Sequence, residues 1–192
     1  PVFDQRLMGW VNSIRARART GAHAPGEFMM LDHLLHDLRL FKSSEELKIM
    51  RKAAAISARA HVRAMQVARP GLYEYELEAE IQHEFLKNGC QAPAYNSIVG
   101  SGANACILHY VENNKAMQDG DLVLIDAGGE LDHYASDITR TFPVNGKFSP
   151  EQKAIYQLVL DAQHAAIASV KPGAHWNTPH ETVISVLVDG LL

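Results

Sequence analysis

Leu122-Val123-Leu124-Ile125-Asp126-Ala127-Gly128-Gly129, followed by Ser136-Asp137-Ile138-Thr139-Arg140-Thr141-Phe142, is the stretch on which the reading of this chain turns. Its first five residues are a compact apolar run closed by a carboxylate, the pattern of a buried strand. Tyr134 to Val144 reads as the next strand, with Asp137 inside it. A tight turn at Ala127-Gly128-Gly129 would bring Asp126 and Asp137 within a few ångströms of each other. A carboxylate in such a place is costly unless it is paired, hydrogen-bonded or metal-bound. Two that lie close repel unless a cation or a shared proton stands between them. Two bridging aspartates are the minimal half of a dinuclear site, whose ions lie about 3.5–4 Å apart. Spacing alone leaves a plainer reading open: Asp before Gly-Gly is a common turn residue, and Asp137 with Arg140 could form a surface pair. Two carboxylates also fall short of the about four to six ligands that such ions take.

Upstream of this stretch the pattern is helical. Ser43-Ser44-Glu45-Glu46 places a capping box before an apolar period carried by Leu47, Met50, Ala54 and Ala58, with Ile49, Ala53, Ile56 and Ala60 beside them. Pro70-Gly71 ends that helix, and a second runs from about Glu74 to Lys87, stopped by Asn88-Gly89. Tyr95 to Val99 and Ala105 to Tyr110 then read as strands around the turn Gly100-Ser101-Gly102. His109, in the second of these, could lie beside the carboxylate strands and donate to a substrate carbonyl. The plainer reading of His109 is a satisfied core histidine. Gly100 to Asn104 is not a phosphate loop, because it runs into a strand and no Lys follows. Downstream, Ser149-Pro150-Glu151-Gln152 caps a helix to Val170, Lys171-Pro172-Gly173 stops it, and Thr178 to Leu192 starts another. The helix, Pro-Gly, helix unit thus occurs twice, around Pro70 and Pro172, which suggests a duplicated half-domain.

With 192 residues, 47% of them apolar and 21% charged, the composition is that of a globular chain rather than a disordered one. The formal charge of −4 gives no case for nucleic acid. Arg15, Arg17 and Arg19, in a helix expected from Trp10 to Arg19, read as a solvated face. No apolar run is long enough to span a bilayer. Cys90 and Cys106 form no C-x-x-C and read as small buried side chains in a reducing cytoplasm. The histidines show neither H-x-H nor H-x-x-x-H spacing. Residues 1–41 are irregular in pattern, with a loop at Gly21 to Gly26 and a short apolar stretch at Leu31 to Leu40. The chain opens on Pro1-Val2-Phe3-Asp4 without an initiator Met or a leader, and it closes inside a helical pattern. It is therefore expected to be a window on a longer protein.

Four ordered blocks carry a resemblance: Tyr95 to Gly102, Ile107-Leu108-His109-Tyr110, Asp119 to Gly128, and Ser136 to Val144. Together, and with flanks from Arg39 to Ser43 and from Asn145 to Phe148, they resemble the Xaa-Pro aminopeptidases (aminopeptidase P) among the pita-bread metallopeptidases. The resemblance implies an α+β pita-bread fold, truncated in its second half. It implies that 1–41 is the remnant of an N-terminal creatinase-type domain and linker, and that 43–192 is a partial catalytic domain. By the same resemblance, Asp126 and Asp137 are metal ligands of a site for two divalent ions, usually Mn2+, with Co2+, Zn2+ or Fe2+ as alternatives. His109 is similar to a catalytic, substrate-contacting histidine, and Tyr95 to a substrate-pocket tyrosine. The family's other ligands, one His and two Glu, would follow Leu192. The implied activity is release of the N-terminal residue before a penultimate proline, by attack of a metal-bridged hydroxide, with the present chain inactive alone. The implied parent is a cytoplasmic homo-oligomer acting on peptides with proline at the second position, with no nucleic-acid or membrane partner. Proline dipeptidase and a non-catalytic pita-bread protein-binding module are the alternatives.

Overall fold

The computed structural model describes residues 2–192; Pro1, the first residue of the expected N-terminal remnant, lies outside them. The chain divides into two compact units, Pro1–Glu46 and Leu47–Leu192.

The first unit is more regular than its sequence pattern. It contains α1 (Val2–Arg15) and α2 (Leu31–Leu40), with a single 3-10 turn at Ala18–Thr20. Asp4 lies in the first turn of α1 and Arg15 in the last, each at the end of the helix dipole it complements. The reading of 1–41 as irregular misses α2, and the helix expected from Trp10 to Arg19 in fact starts earlier and ends at Arg15. The local signals were weak: the residue before α2 is Met30, which makes no side-chain cap.

The second unit is an antiparallel sheet with helices packed on one face. In α3 (Ser44–Val67) the expected box is formed, with the Glu46 amide donating to Ser43 Oγ at 3.3 Å and the Ser43 amide to Glu46 Oε2 at 2.6 Å. The buried stripe is Ala53, Ile56, Ala60 and Ala64 with Ser57 and His61, while Leu47, Ala54 and Ala58 are exposed. The helical period was therefore legible, but three of the eight residues assigned to the apolar face point to solvent. In α4 (Glu74–Lys87), Leu77, Ile81 and Phe85 make a buried row at i, i+4 and i+8. Each such side chain contributes about 1.5–3 kcal/mol on leaving water. These two helices and Met117 cover Val99, Val123, Ile125, Phe142 and Val144 in one core.

The main sheet has the order β2 (Ile98–Ser101), β3 (Leu122–Ala127), β6 (Ile138–Pro143), antiparallel throughout. A smaller one has the order β1 (Ala92–Pro93), β4 (Gly129–Leu131), β5 (Tyr134–Ala135). Along β3, Val123, Ile125 and Ala127 are fully buried, whereas Leu122, Leu124 and Asp126 face the other side and are half-buried. The two aspartates are not joined by a tight turn. β3 runs into the β4–β5 hairpin, closed by Asp132 and His133 at φ 48° and 68°, before the chain returns in β6. Tyr134 to Val144 is accordingly two strands, broken at Ser136-Asp137, and Asp137 lies just ahead of β6. Gly128 permits the break, because a Cβ there would sit 1.7 Å from the Ser136 carbonyl oxygen.

Two further expected strands differ. The first begins at Ile98 rather than Tyr95. The second is absent: Gly102–Cys106 is a 3-10 helix, and Ile107 to Tyr110 is a loop. The cause is Glu74, fully buried at the first turn of α4. Its carboxylate accepts from the Ser101 amide and Oγ (both 2.7 Å), Tyr110 Oη (2.8 Å), the Lys115 amide (3.1 Å) and Asn104 Nδ2 (3.2 Å). These donors draw the segment after β2 onto the end of the helix instead of along a strand. Burial pushes the Glu74 carboxyl up, but the bonds from Ser101, Lys115 and Tyr110 outweigh it and hold the group below its ordinary value of 4.5. After the sheet, α5 (Pro150–Ser169) starts on the expected Ser149–Gln152 box and packs against α6 (Thr178–Leu191). Among the described residues, no helix is long and apolar enough to cross a membrane.

Two consequences are measurable. Gly128→Ala is expected to cost about 3 kcal/mol, because a backbone carbonyl must move; the urea midpoint should fall at constant slope, and an unchanged midpoint would show that the loop yields freely. Glu74→Gln turns an amide N–H toward buried donors and should cost about 2–3 kcal/mol at neutral pH. A carboxyl held low in the fold stabilises above its unfolded value, and that contribution is lost as pH falls through the folded one. Stability of the native sequence should therefore decline below its ordinary value of 4.5 more steeply than that of Glu74→Gln. Equal slopes would contradict this.

Candidate metal centre

The β3–β6 register sets Asp126 opposite Thr139, which brings Asp137, at the foot of β6, toward the same end of the sheet. Ile98 lies opposite Asp126 on the other side, in β2. Tyr95, in the loop before β2, reaches over this end. Its Oη lies 2.5 Å from Asp126 Oδ1 and 2.9 Å from Asp137 Oδ1. A phenol has a single proton to donate. Burial first, then the hydrogen bonds to Asp126 and Asp137, push the Tyr95 hydroxyl far above its ordinary value, so the proton stays on it. Two carboxylate oxygens thus converge on one O–H, and only one of them can receive it at a time.

Asp137 is held from behind. Its neighbour Ser136 donates from Oγ to the Gly129 carbonyl at 2.8 Å, and the Gly129 amide donates to Ser57 Oγ at 2.9 Å. With the Gly129 amide and carbonyl taken, the 2.7 Å contact between the two hydroxyls is satisfied by Ser57 donating to Ser136. Ser57 on α3, paired with the buried Ser136, therefore fixes the loop that presents Asp137. Sequence reasoning missed Ser57, whose only signal is a polar residue in an apolar helical stripe.

His109 reaches the same place by a route other than the one expected. It lies in a loop, not a strand, and its backbone is left-handed at φ 57°. For a residue with a side chain this conformation costs about 1–3 kcal/mol and persists only where the surroundings impose it. The histidine is exposed rather than buried in the core. A cavity of ≈ 360 Å³ is lined by Tyr95, Asn96, Ile98, His109, Val111, Asp126 and Asp137. All four residues singled out from the sequence therefore line one cleft, with Asn96, Ile98 and Val111 as neighbours the sequence reading did not name. A larger groove of ≈ 920 Å³ between α3 and α4 carries the Arg63–Glu80 ion pair at 2.8 Å and none of these residues. Convergent chemistry, not size, distinguishes the smaller cleft. Cys106 lines a cavity of ≈ 320 Å³ with His109 and Asp126, and it is exposed, contrary to the expectation of burial; Cys90 is buried.

The donors suit a hard or borderline divalent ion, since both are carboxylate oxygens. They fit one in part: among the described residues, no group of three or more His, Cys, Asp or Glu converges on a common point.

The chain resembles several characterised proteins. It is 48% identical over 186 residues to the Xaa-Pro aminopeptidase of Escherichia coli K12, covering 95% of this chain and 42% of that one. The structure of Pseudomonas aeruginosa aminopeptidase PepP superposes with a TM-score of 0.92 at 64% identity, over 100% of this chain and 43% of that one. Zinc-substituted Escherichia coli aminopeptidase P in complex with product gives 0.89 at 48% identity, over 94% and 41%. The pita-bread fold expected from the sequence is thus present, and the chain spans about two fifths of the length of the relatives it matches. The sequence model of metallopeptidase family M24 matches residues 48–191, and it is to this family that the chain belongs.

Proposed function

We propose that this chain forms part of a metal-dependent aminopeptidase that releases an N-terminal residue preceding proline. The observation that carries the reading is the proton deficit at Tyr95: two carboxylates converge on one hydroxyl, and a divalent cation relieves their repulsion. Asp126 and Asp137 would hold the metal, with two ions, Mn2+ above Co2+, Zn2+ or Fe2+, as the preferred occupancy. Such ions, when bound, polarise a peptide carbonyl and activate water. Tyr95 keeps its proton and donates it to a carboxylate, fixing the rotamer of that ligand. His109, projecting into the cleft from its left-handed loop, faces the carbonyl side of a bound peptide and supports the developing negative charge. Ile98 and Val111 give the cleft apolar walls beside these polar groups.

Residues 1–41 are assigned, in the same proposal, to the end of an N-terminal domain and linker, and 43–192 to the first part of the catalytic domain. The parent protein is cytoplasmic and self-associating, and its substrates are peptides with proline second. The remaining ligands, a His and two Glu, come from the rest of the parent. Proline dipeptidase, the alternative within the same chemistry, differs in accepting only dipeptides; retention of both aspartates argues against a ligand-poor binding module.

In the parent enzyme, Asp126→Asn and Asp137→Asn should each lower kcat/KM on a Xaa-Pro tripeptide by about three orders of magnitude, or about 4 kcal/mol. His109→Ala should cost about 10²–10³, chiefly in kcat. A preference for Xaa-Pro dipeptides over tripeptides would replace the aminopeptidase reading with the dipeptidase one. The 192-residue chain itself, with its two carboxylate ligands, should show negligible turnover on the same peptides; robust hydrolysis by it would overturn the proposed ligand count.

A further inference from the structure

His109 and Tyr110 are adjacent and have opposite fates. The histidine is exposed on the cleft, whereas Tyr110 is 6% exposed and turned into the protein. The Tyr110 hydroxyl donates to Glu74 Oε2 at 2.8 Å and accepts from Asn104 Nδ2 at 2.9 Å, which fills its main hydrogen-bonding capacity. Glu74 is in turn locked by the Ser101 amide and hydroxyl, while its own amide donates to the Lys115 carbonyl at 3.0 Å. One buried carboxylate therefore ties the start of α4, the end of β2 and both ends of the 110–115 segment together. On the far side of that segment, Asn113, at φ 45°, accepts from the Val99 amide and donates to the Ser97 carbonyl.

The His109 ring, by contrast, has no hydrogen-bond partner among the described residues. No hydrogen bond fixes its direction. A left-handed histidine persists only when its neighbours over-determine it, and the tyrosine beside it is buried and hydrogen-bonded through its hydroxyl to both Glu74 and Asn104. We infer that Tyr110 is a positioning residue for His109: anchored on Glu74, it holds the loop in the strained conformation that aims the imidazole into the Asp126–Asp137 cleft. This rests on the reading of His109 as the group that meets substrate. Tyr110 itself touches no reacting atom. Burial, and then the bond to Glu74, raise its phenol above the ordinary value, so it remains a donor across the working range of pH.

Tyr110→Phe keeps the ring and its packing and deletes the anchor. In the 192-residue chain, the backbone and imidazole NMR signals of His109 should shift and broaden in this variant as the loop leaves the left-handed region, while signals of the core residues Ile81 and Ile125 stay in place. In the parent enzyme, kcat should fall by roughly tenfold to a hundredfold with KM little changed, as expected for misplacement of a catalytic group. Combined with His109→Ala, it should cause no further loss, because both changes remove the same contribution. Should Tyr110→Phe not fold, Asn104→Ala, which removes the second bond to the Tyr110 hydroxyl, is expected to move the same His109 signals in the same direction. Unaltered His109 signals in a folded variant, or losses in kcat that multiply with those of His109→Ala, would overturn the inference. If His109→Ala leaves kcat intact, it is the reading of the site that fails, and the NMR comparison still decides whether Tyr110 sets the histidine.

Discussion

Two carboxylates share one phenol proton at the end of a three-stranded sheet, and much of the second unit can be understood as what keeps them there. Left to themselves, Asp126 and Asp137 would separate, since each gains by moving into water. The β3–β6 pairing fixes Asp126 against Thr139. The Ser57–Ser136–Gly129 bonds fix the residue before Asp137 to helix α3. Gly128 lets the backbone approach at a distance no other residue allows. None of these groups touches the cleft itself, yet each removes a way for the carboxylates to escape. A site that imposes electrostatic conflict at rest is pre-organised for a cation, because the cost of bringing the ligands together is met by folding rather than by binding.

A second anchor, Glu74, organises the opposite wall. It is a buried charge whose desolvation is offset by five donors, and removing any of them would leave part of that cost exposed. Its consequence is topological: the segment after β2 becomes a 3-10 turn and a loop, so His109 reaches the cleft from above the sheet rather than from an added strand. The two anchors act on the two walls of one cleft, and both draw on helices, α3 for Asp137 and α4 for His109. The helices that cover the core thus also set the geometry of the chemistry on the other face of the sheet.

What the sequence disclosed, and what it hid, follows from how local each determinant is. The Ser43 and Ser149 capping boxes and the apolar row of α4 are decided within one or two turns, and they were readable. The proximity of Asp126 and Asp137 was readable as well, but not its cause: the intervening β4–β5 hairpin depends on two left-handed residues, Asp132 and His133, that no glycine announces. The strand expected at Ala105 to Tyr110 failed because a β-prone local run lost to a carboxylate far off in sequence. Helix α2 lacks a capping side chain at its start, and Cys106 is exposed because it sits on the 3-10 turn instead of a strand face. The family resemblance supplied the proposed role of Tyr95 and favoured the substrate-facing reading of His109 over that of a core histidine.

The central claim is that Asp126 and Asp137 together hold a divalent ion. It is tested most directly by titrating Mn2+ into the 192-residue chain and following the free-ion paramagnetic resonance signal. The account predicts weak but saturable loss of that signal, abolished by Asp126→Asn and by Asp137→Asn in variants whose urea midpoints show them to be folded. Binding that is the same in the native sequence and in the doubly substituted chain would contradict it.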